Sequence, residues 1–179
     1  VRESSVVITG WGEKYHKYIP KCQSLIHCDY IEKWVEETMN IIGVKQPVEI
    51  IEIPGRYEKI DEFILDTAHN TQAIQFLISK NKEYDKIIIG MMKDKDINHI
   101  IGCLPKKCEI LVCNLKTERS ASSDELAAVC QNLGYNYKKF NNIKQAMEYS
   151  KHHKTLITGS FYTVSEAREY LKLEGHSEL

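Results

Sequence analysis

From residue 63 onward, short apolar runs alternate with stretches whose apolar residues recur every three or four positions. The runs read as buried strands and the periodic stretches as amphipathic helices. The pattern predicts a strand over 63–66, then a helix over about 70–80 with Ala73, Ile74, Leu77 and Ile78 on one face. A strand over 86–91 leads to a helix over 96–104, stopped by Pro105. A strand over 109–114 leads to a helix beginning at Ser122, where Ser122-Ser123-Asp124-Glu125 forms a capping box and Gly134 ends the element. A weaker strand over 135–140 precedes a helix over about 142–150. Last, a strand over 155–158 passes through Gly159-Ser160 into a helix with a second capping box, Thr163 to Glu166. Strands and helices alternating at this spacing make βαβ units. The fold class is α/β: a Rossmann-like, mainly parallel sheet with helices on both faces.

The first third of the chain is less regular. Val6-Val7-Ile8 reads as a short strand ending at Gly10, and a helix capped by Asp29 carries Ile31, Trp34, Val35, Met39 and Ile42 on one face, up to Gly43. Residues 48–53 alternate apolar and acidic side chains, as a half-exposed strand does. Pro54-Gly55 breaks that strand, and Arg56 to Ile60 resumes extended. The expected division is an N-terminal segment over 1–47 and one α/β domain over 48–179.

Composition narrows the choices of function. A net charge of −1 supplies no basic field for nucleic acid or an anionic membrane surface. No apolar run approaches the ~18–20 residues of a membrane span, and no signal peptide opens the chain. The six cysteines, Cys22, Cys28, Cys103, Cys108, Cys113 and Cys130, show no Cys-x-x-Cys spacing, so they read as reduced, buried thiols rather than a metal site. The expected location is therefore cytoplasmic. A chain that starts at Val1 rather than Met reads as a piece of something longer.

In a parallel sheet every strand ends on the same edge, where ligands of open α/β sheets bind. That edge collects Asp66, His69 and Asn70, the run Gly90 to Asp96 with Lys95, the run Asn114 to Ser120 with Arg119, and Gly159-Ser160-Phe161-Tyr162. Cations and helix N-termini together suit a carboxylate or a phosphate. For any one of these residues a helix cap or a solvated charge is the more frequent role; their joint occurrence on one edge is what points to a ligand. There is no G-x-x-x-x-G-K-[ST] loop for a triphosphate, no G-x-G-x-x-G after a strand and no G-x-S-x-G elbow.

Four segments carry a resemblance: Pro54-Gly55-Arg56-Tyr57-Glu58, Ile64 to Asn70, Gly90 to Asp96, and Thr158-Gly159-Ser160-Phe161-Tyr162. In order and separation they resemble the C-terminal domain of folylpolyglutamate synthase/dihydrofolate synthase, in the Mur ligase superfamily, over about residues 48–170. The resemblance implies ATP-driven amide formation, in which a folate or pteroate carboxylate is phosphorylated and L-glutamate attacks the acyl phosphate. It implies that Arg56 and Asp66 contact the nucleotide, and that His69, Ser160 and Lys95 hold the glutamate. It implies no catalytic residue and no metal ligand in this chain, since ATP and Mg²⁺ are held mainly by a central domain with no counterpart here. Thr71 stands where that family usually has proline. The implied function is a glutamate-binding domain, inactive alone. A non-catalytic module of the same fold, or a Mur-type ligase for another amino acid, are the alternatives.

Overall fold

The computed structural model describes residues 54–80 and 83–173. The predicted strands over 6–8 and 48–53, the helix from Asp29 and the division at residue 48 lie outside those residues. The described chain forms β1 (Glu58–Ile60), β2 (Phe63–Leu65), α1 (Thr71–Lys80), β3 (Lys86–Ile89), α2 (Ile97–Gly102), β4 (Glu109–Cys113), α3 (Ser123–Asn132), β5 (Tyr137–Phe140), α4 (Ile143–Tyr149), β6 (Thr155–Thr158) and α5 (Phe161–Tyr170).

Six strands form one sheet in the order β1-β2-β6-β3-β4-β5. All neighbours run parallel except β1, which turns back antiparallel on β2 with Glu58 opposite Leu65 and Ile60 opposite Phe63. The central strands are apolar on both faces, as strands between two helical layers must be. Ile87, Ile89, Ile110, Val112 and Leu156 face Ile74, Leu77, Ile100, Ile101 and Leu126 of α1, α2 and α3. The alternate residues Leu65, Ile88, Leu111 and Ile157 face Ile143, Ala146, Met147, Val164 and Ala167 of α4 and α5. The α/β reading holds, with helices on both faces.

The order of the strands positions the site. β6 is last in the chain but sits between β2 and β3. The helices after β2 and β3 cover one face, and the helix after β6 covers the other. Where neighbouring strands send their chains to opposite faces, a crevice opens above their carboxyl ends. Here it opens over Leu65, Ile89 and Thr158.

Several boundaries differ from the sequence pattern. β3 ends at Ile89 rather than at 91, because the backbone of Met91 and Met92 turns to pair with the β4–α3 loop, Ala121 donating to the Met91 carbonyl at 2.8 Å and Met92 bridging Ser120. β5 begins at Tyr137 rather than 135, since Tyr135 N–H is tied back to Cys130 at 2.9 Å. Arg56 and Tyr57 form a turn rather than extended chain, with Tyr57 at φ 52°. The Ser122–Glu125 capping box is present as predicted. The other one, Thr163 to Glu166, is not. Ser160 caps α5 instead, accepting the Thr163 N–H at 3.0 Å, which places Thr163 inside the first turn.

Asn70 caps α1, its side chain accepting the Ala73 N–H at 2.8 Å while its carbonyl accepts from Ile74. Thr71 is thus the first helical residue, where a proline needs no N–H partner and already has the helical φ. Thr71→Pro is expected to stabilise the domain by about 0.5 kcal/mol through the unfolded chain. Urea unfolding measures it; a loss would mean the Thr71 N–H has an acceptor in solution.

Candidate functional site

The crevice is built from three loop segments. The first is the turn before β1. Gly55 is buried at φ 71°, and a Cβ there would lie 2.8 Å from Val164 Cγ1, so the turn sits directly on α5. Its carbonyl accepts the Thr67 N–H at 2.9 Å. Tyr57 N–H donates to Asp66 Oδ2 at 2.9 Å, and Ala68 N–H donates to Asp66 Oδ1 at 2.8 Å. Asp66 therefore spends both oxygens joining the Arg56 turn to the end of β2, and it is only 5% exposed.

Burial pushes the Asp66 carboxyl above its ordinary range, outweighing the two N–H bonds and the nearby Arg56 and His69 that favour the anion. Because the folded value is raised, protonating Asp66 favours the native state. Its pH-linked contribution is full below the ordinary carboxylate range and is lost as pH rises through the raised native value. Asp66→Asn removes that slope and leaves one N–H facing an amide NH₂. The expected cost is about 1–3 kcal/mol at neutral pH, read by urea unfolding. A neutral substitution would make the two N–H bonds dispensable.

The second segment is the β2–α1 loop. His69 is half-buried with Nδ1 2.8 Å from the Thr67 carbonyl, an acceptor only, so Nδ1 carries the proton and Nε2 is left to meet a ligand. The third is the β6–α5 junction. Phe161, the first residue of α5, lies between the other two segments, its ring centroid 5.5 Å from that of His69 and 5.5 Å from the Arg56 guanidinium carbon. Phe161 and its neighbour Tyr162 are both 37% exposed at the start of a ten-residue helix. The first N–H groups of a helix have no partner within it and favour anions.

Ser160 lies beneath that surface. It is 3% exposed, and besides capping Thr163 its hydroxyl is 2.8 Å from Thr163 Oγ1, which donates to the Gly90 carbonyl at 2.7 Å. This chain of hydroxyls ties the end of β6 to the end of β3. Gly159 N–H and Thr158 Oγ1 both donate to the Ala68 carbonyl, which ties it to β2 as well.

Of the residues singled out from the sequence, the structure therefore brings Arg56, Asp66, His69 and Ser160 around one crevice. Lys95 stands on the same edge but turns to Asp94 of its own loop, at 3.2 Å. Asn114 is occupied by the Ser123 N–H at 2.7 Å, and Arg119 is exposed beyond it. Sequence reasoning passed over Phe161 as a contact residue. Its signal was an aromatic side chain at a first helical position after Gly-Ser, where neither packing periodicity nor capping asks for one. The buried Cys108, Cys113 and Cys130 are free, and burial lifts their thiols, Cys130 to about 11, which suits packing rather than nucleophilic chemistry. Among the described residues no group of three His, Cys, Asp or Glu is placed to hold a metal ion.

Comparison with known proteins gives this crevice a context. Residues 55–161 match the family described as Mur ligase, glutamate ligase domain. The chain belongs to that family. The match runs from Gly55 to Phe161 and includes Arg56, Asp66, His69, Lys95 and Ser160. Over 143 residues, 72% of this chain, it is 34% identical to the dihydrofolate synthase/folylpolyglutamate synthase of Buchnera aphidicola subsp. Schizaphis graminum. The fold is similar to that of the bifunctional folylpolyglutamate synthase/dihydrofolate synthase of Yersinia pestis complexed with AMPPNP and Mn ion, with a TM-score of 0.61, 27% identity, and 68% of this chain and 32% of that one covered. A structure of an enzyme with the same name, with Mn, AMPPNP and L-glutamate bound, is similar to the same degree in every one of these measures. The chain spans about a third of the length of the Buchnera and Yersinia relatives. The region shared with them is the size of the family's C-terminal domain.

Proposed function

We propose that residues 48–179 form the glutamate-binding C-terminal domain of an ATP-dependent folate–glutamate amide ligase, inactive without a separate nucleotide-binding domain. The observation that carries this reading is the convergence of Arg56, His69 and the N-terminus of α5 on Phe161, inside the segment that matches the family. A cation, an imidazole with a free Nε2 and unpartnered helix N–H groups form one surface for an anionic amino acid beside a phosphate.

Arg56 faces the nucleotide. Its guanidinium stands over Phe161 on a turn held by backbone hydrogen bonds, so it can meet developing phosphoryl charge without reorganising. Asp66 serves that contact from below by holding Tyr57. His69 receives the glutamate carboxylate or orients its amine through Nε2, and the Ser160 cap aims the start of α5 at the same ligand. Lys95 reaches the amino acid from the β3 side of the crevice once it leaves Asp94. The amine displaces phosphate from the acyl phosphate made on the folate or pteroate carboxylate, and this domain's part is to present that amine. Mg²⁺ bound with ATP supplies charge neutralisation, and its ligands come from outside this domain. Such a ligase works in the cytoplasm; no helix among the described residues is long and apolar enough to cross a membrane.

The test is a kinetic split in an enzyme carrying this domain. His69→Ala is expected to raise the KM for L-glutamate by about tenfold while the KM for ATP stays within about twofold. Equal changes in both constants would reject the assignment of His69 to the amino acid.

A further inference from the structure

The segment that carries Arg56 lies along a single stripe of α5. Phe161 meets the Arg56 guanidinium at 5.5 Å, Val164 packs against Gly55, and Arg168 pairs with Glu58 through Nη1 and Oε1. Positions 161, 164 and 168 are a helical i, i+3, i+7 row, so one helix face receives three residues of the 55–58 segment. Glu58 is the pivot. Its other oxygen, Oε2, accepts the Gly55 N–H at 2.8 Å. The two carboxylates Glu58 and Asp66 thus take the N–H groups on either side of Arg56, those of Gly55 and Tyr57. Both flanking residues have positive φ, 71° and 52°, and for Tyr57 that conformation is costly, so the turn persists only because its surroundings hold it.

Arg168 is placed to fix Glu58. The Arg168 side chain is 7% exposed and that of Glu58 18%. An arginine buried to this degree is held by its carboxylate partner, and it orients that carboxylate in return. Beside it the Lys59 ammonium lies over the Tyr57 ring at 5.3 Å.

We infer that Arg168, acting through Glu58, is a positioning residue for Arg56, and that the Glu58–Arg168 pair with Asp66 presets the Arg56 turn before any ligand arrives. This rests on the reading of Arg56 as the phosphate-facing cation.

The experiment uses the full 179-residue chain, uniformly labelled, with amide hydrogen exchange read by NMR at Gly55 and Tyr57 and with Ile88 of the central strand as reference. Arg168→Met is expected to speed exchange at Gly55 about tenfold relative to Ile88, because a charge-assisted acceptor loses its orientation. Glu58→Gln has a similar effect. The double variant Glu58→Gln/Arg168→Met exchanges no faster than either single one, since the two residues act as one device. Additive effects, or a change spread evenly over Gly55 and Ile88, would overturn the proposal by reducing Arg168 to general stability. Arg56→Ala serves as the separating control. It leaves Gly55 and Tyr57 protection unchanged, because the acceptors of those two N–H groups are the Glu58 and Asp66 carboxylates. In an enzyme carrying this domain, Arg168→Met lowers kcat with the glutamate KM unchanged. If Arg56→Ala itself does not alter turnover, the phosphate reading fails while the exchange data still decide whether the turn is preset.

Discussion

Arg56→Ala is expected to lower the turnover of an enzyme carrying this domain about a hundredfold or more, the usual cost of removing one preorganised group from a developing charge. The same substitution should cost far less in stability than in rate. The turn's backbone is held by the Thr67 N–H on the Gly55 carbonyl and by the Asp66 and Glu58 carboxylates, all of which remain. What alanine forfeits in the free protein includes the guanidinium's contact over Phe161, worth about 0.5–1 kcal/mol at a partly exposed site. Steady-state kcat together with the thermal midpoint distinguishes the two effects. Arg56→Lys restores the charge but not the planar fork, so it should recover only part of the rate. A full rate in the alanine variant would remove Arg56 from the phosphate.

Gly159→Ala should be the most destabilising single methyl added to this domain, at about 3–5 kcal/mol. Gly159 has φ +105°, a conformation that side chains rarely adopt, and a Cβ there would lie 2.7 Å from the Gly90 carbonyl oxygen and 2.7 Å from Ile89 Cγ1. The oxygen belongs to backbone that also accepts the Thr163 hydroxyl, so it has little freedom to give way. Moving Gly159 instead would break its N–H bond to the Ala68 carbonyl. Domains of this size have only about 5–15 kcal/mol in total, so the variant would be unfolded in a large fraction of molecules or close to it. Equilibrium urea unfolding measures the loss. Gly102→Ala is the control, since a Cβ there meets nothing within 4 Å and adds helix propensity. Equal effects at the two positions would mean that close approach at the crevice is not what requires Gly159.

The elements of this fold were legible because each is encoded locally. The isoleucines of β3 can only be a strand buried on both faces, and Ser122 with Glu125 marks a helix start wherever the chain goes. Failures came where a distant partner decides. Both Ser160-x-x-Thr163 and Thr163-x-x-Glu166 satisfy the local geometry of a cap, and the carboxylate of Glu166 favours a start at Thr163 on local grounds. The structure chooses Ser160 because Thr163 is drawn inward to the Gly90 carbonyl, 73 positions away in the chain. Likewise, no local pattern says that β6 inserts between β2 and β3, yet that insertion opens the crevice. For the site, the sequence identified a rim of polar groups but not the division of labour among them. By residue type alone, Asp66 and Ser160 are candidate ligand contacts. In the fold they are buried and engaged with the chain, while Arg56 and His69 are half-buried and Phe161 is exposed.

Among the described residues strand β5 ends the sheet, and none of them places a neighbouring strand on one side of its backbone. Its two middle residues are Lys138 and Lys139, which as neighbours point to opposite faces. Lys139 reaches Asp124 of α3 at 2.6 Å, and Lys138 lies over the Tyr149 ring of α4 at 3.9 Å. A second molecule adding a strand there would have to accommodate an ammonium group above and another below the new ladder, and its own copy of the same edge would bring two more of the same sign. The domain thus carries a built-in deterrent against edge-to-edge association and fibril growth, at the margin farthest from Arg56.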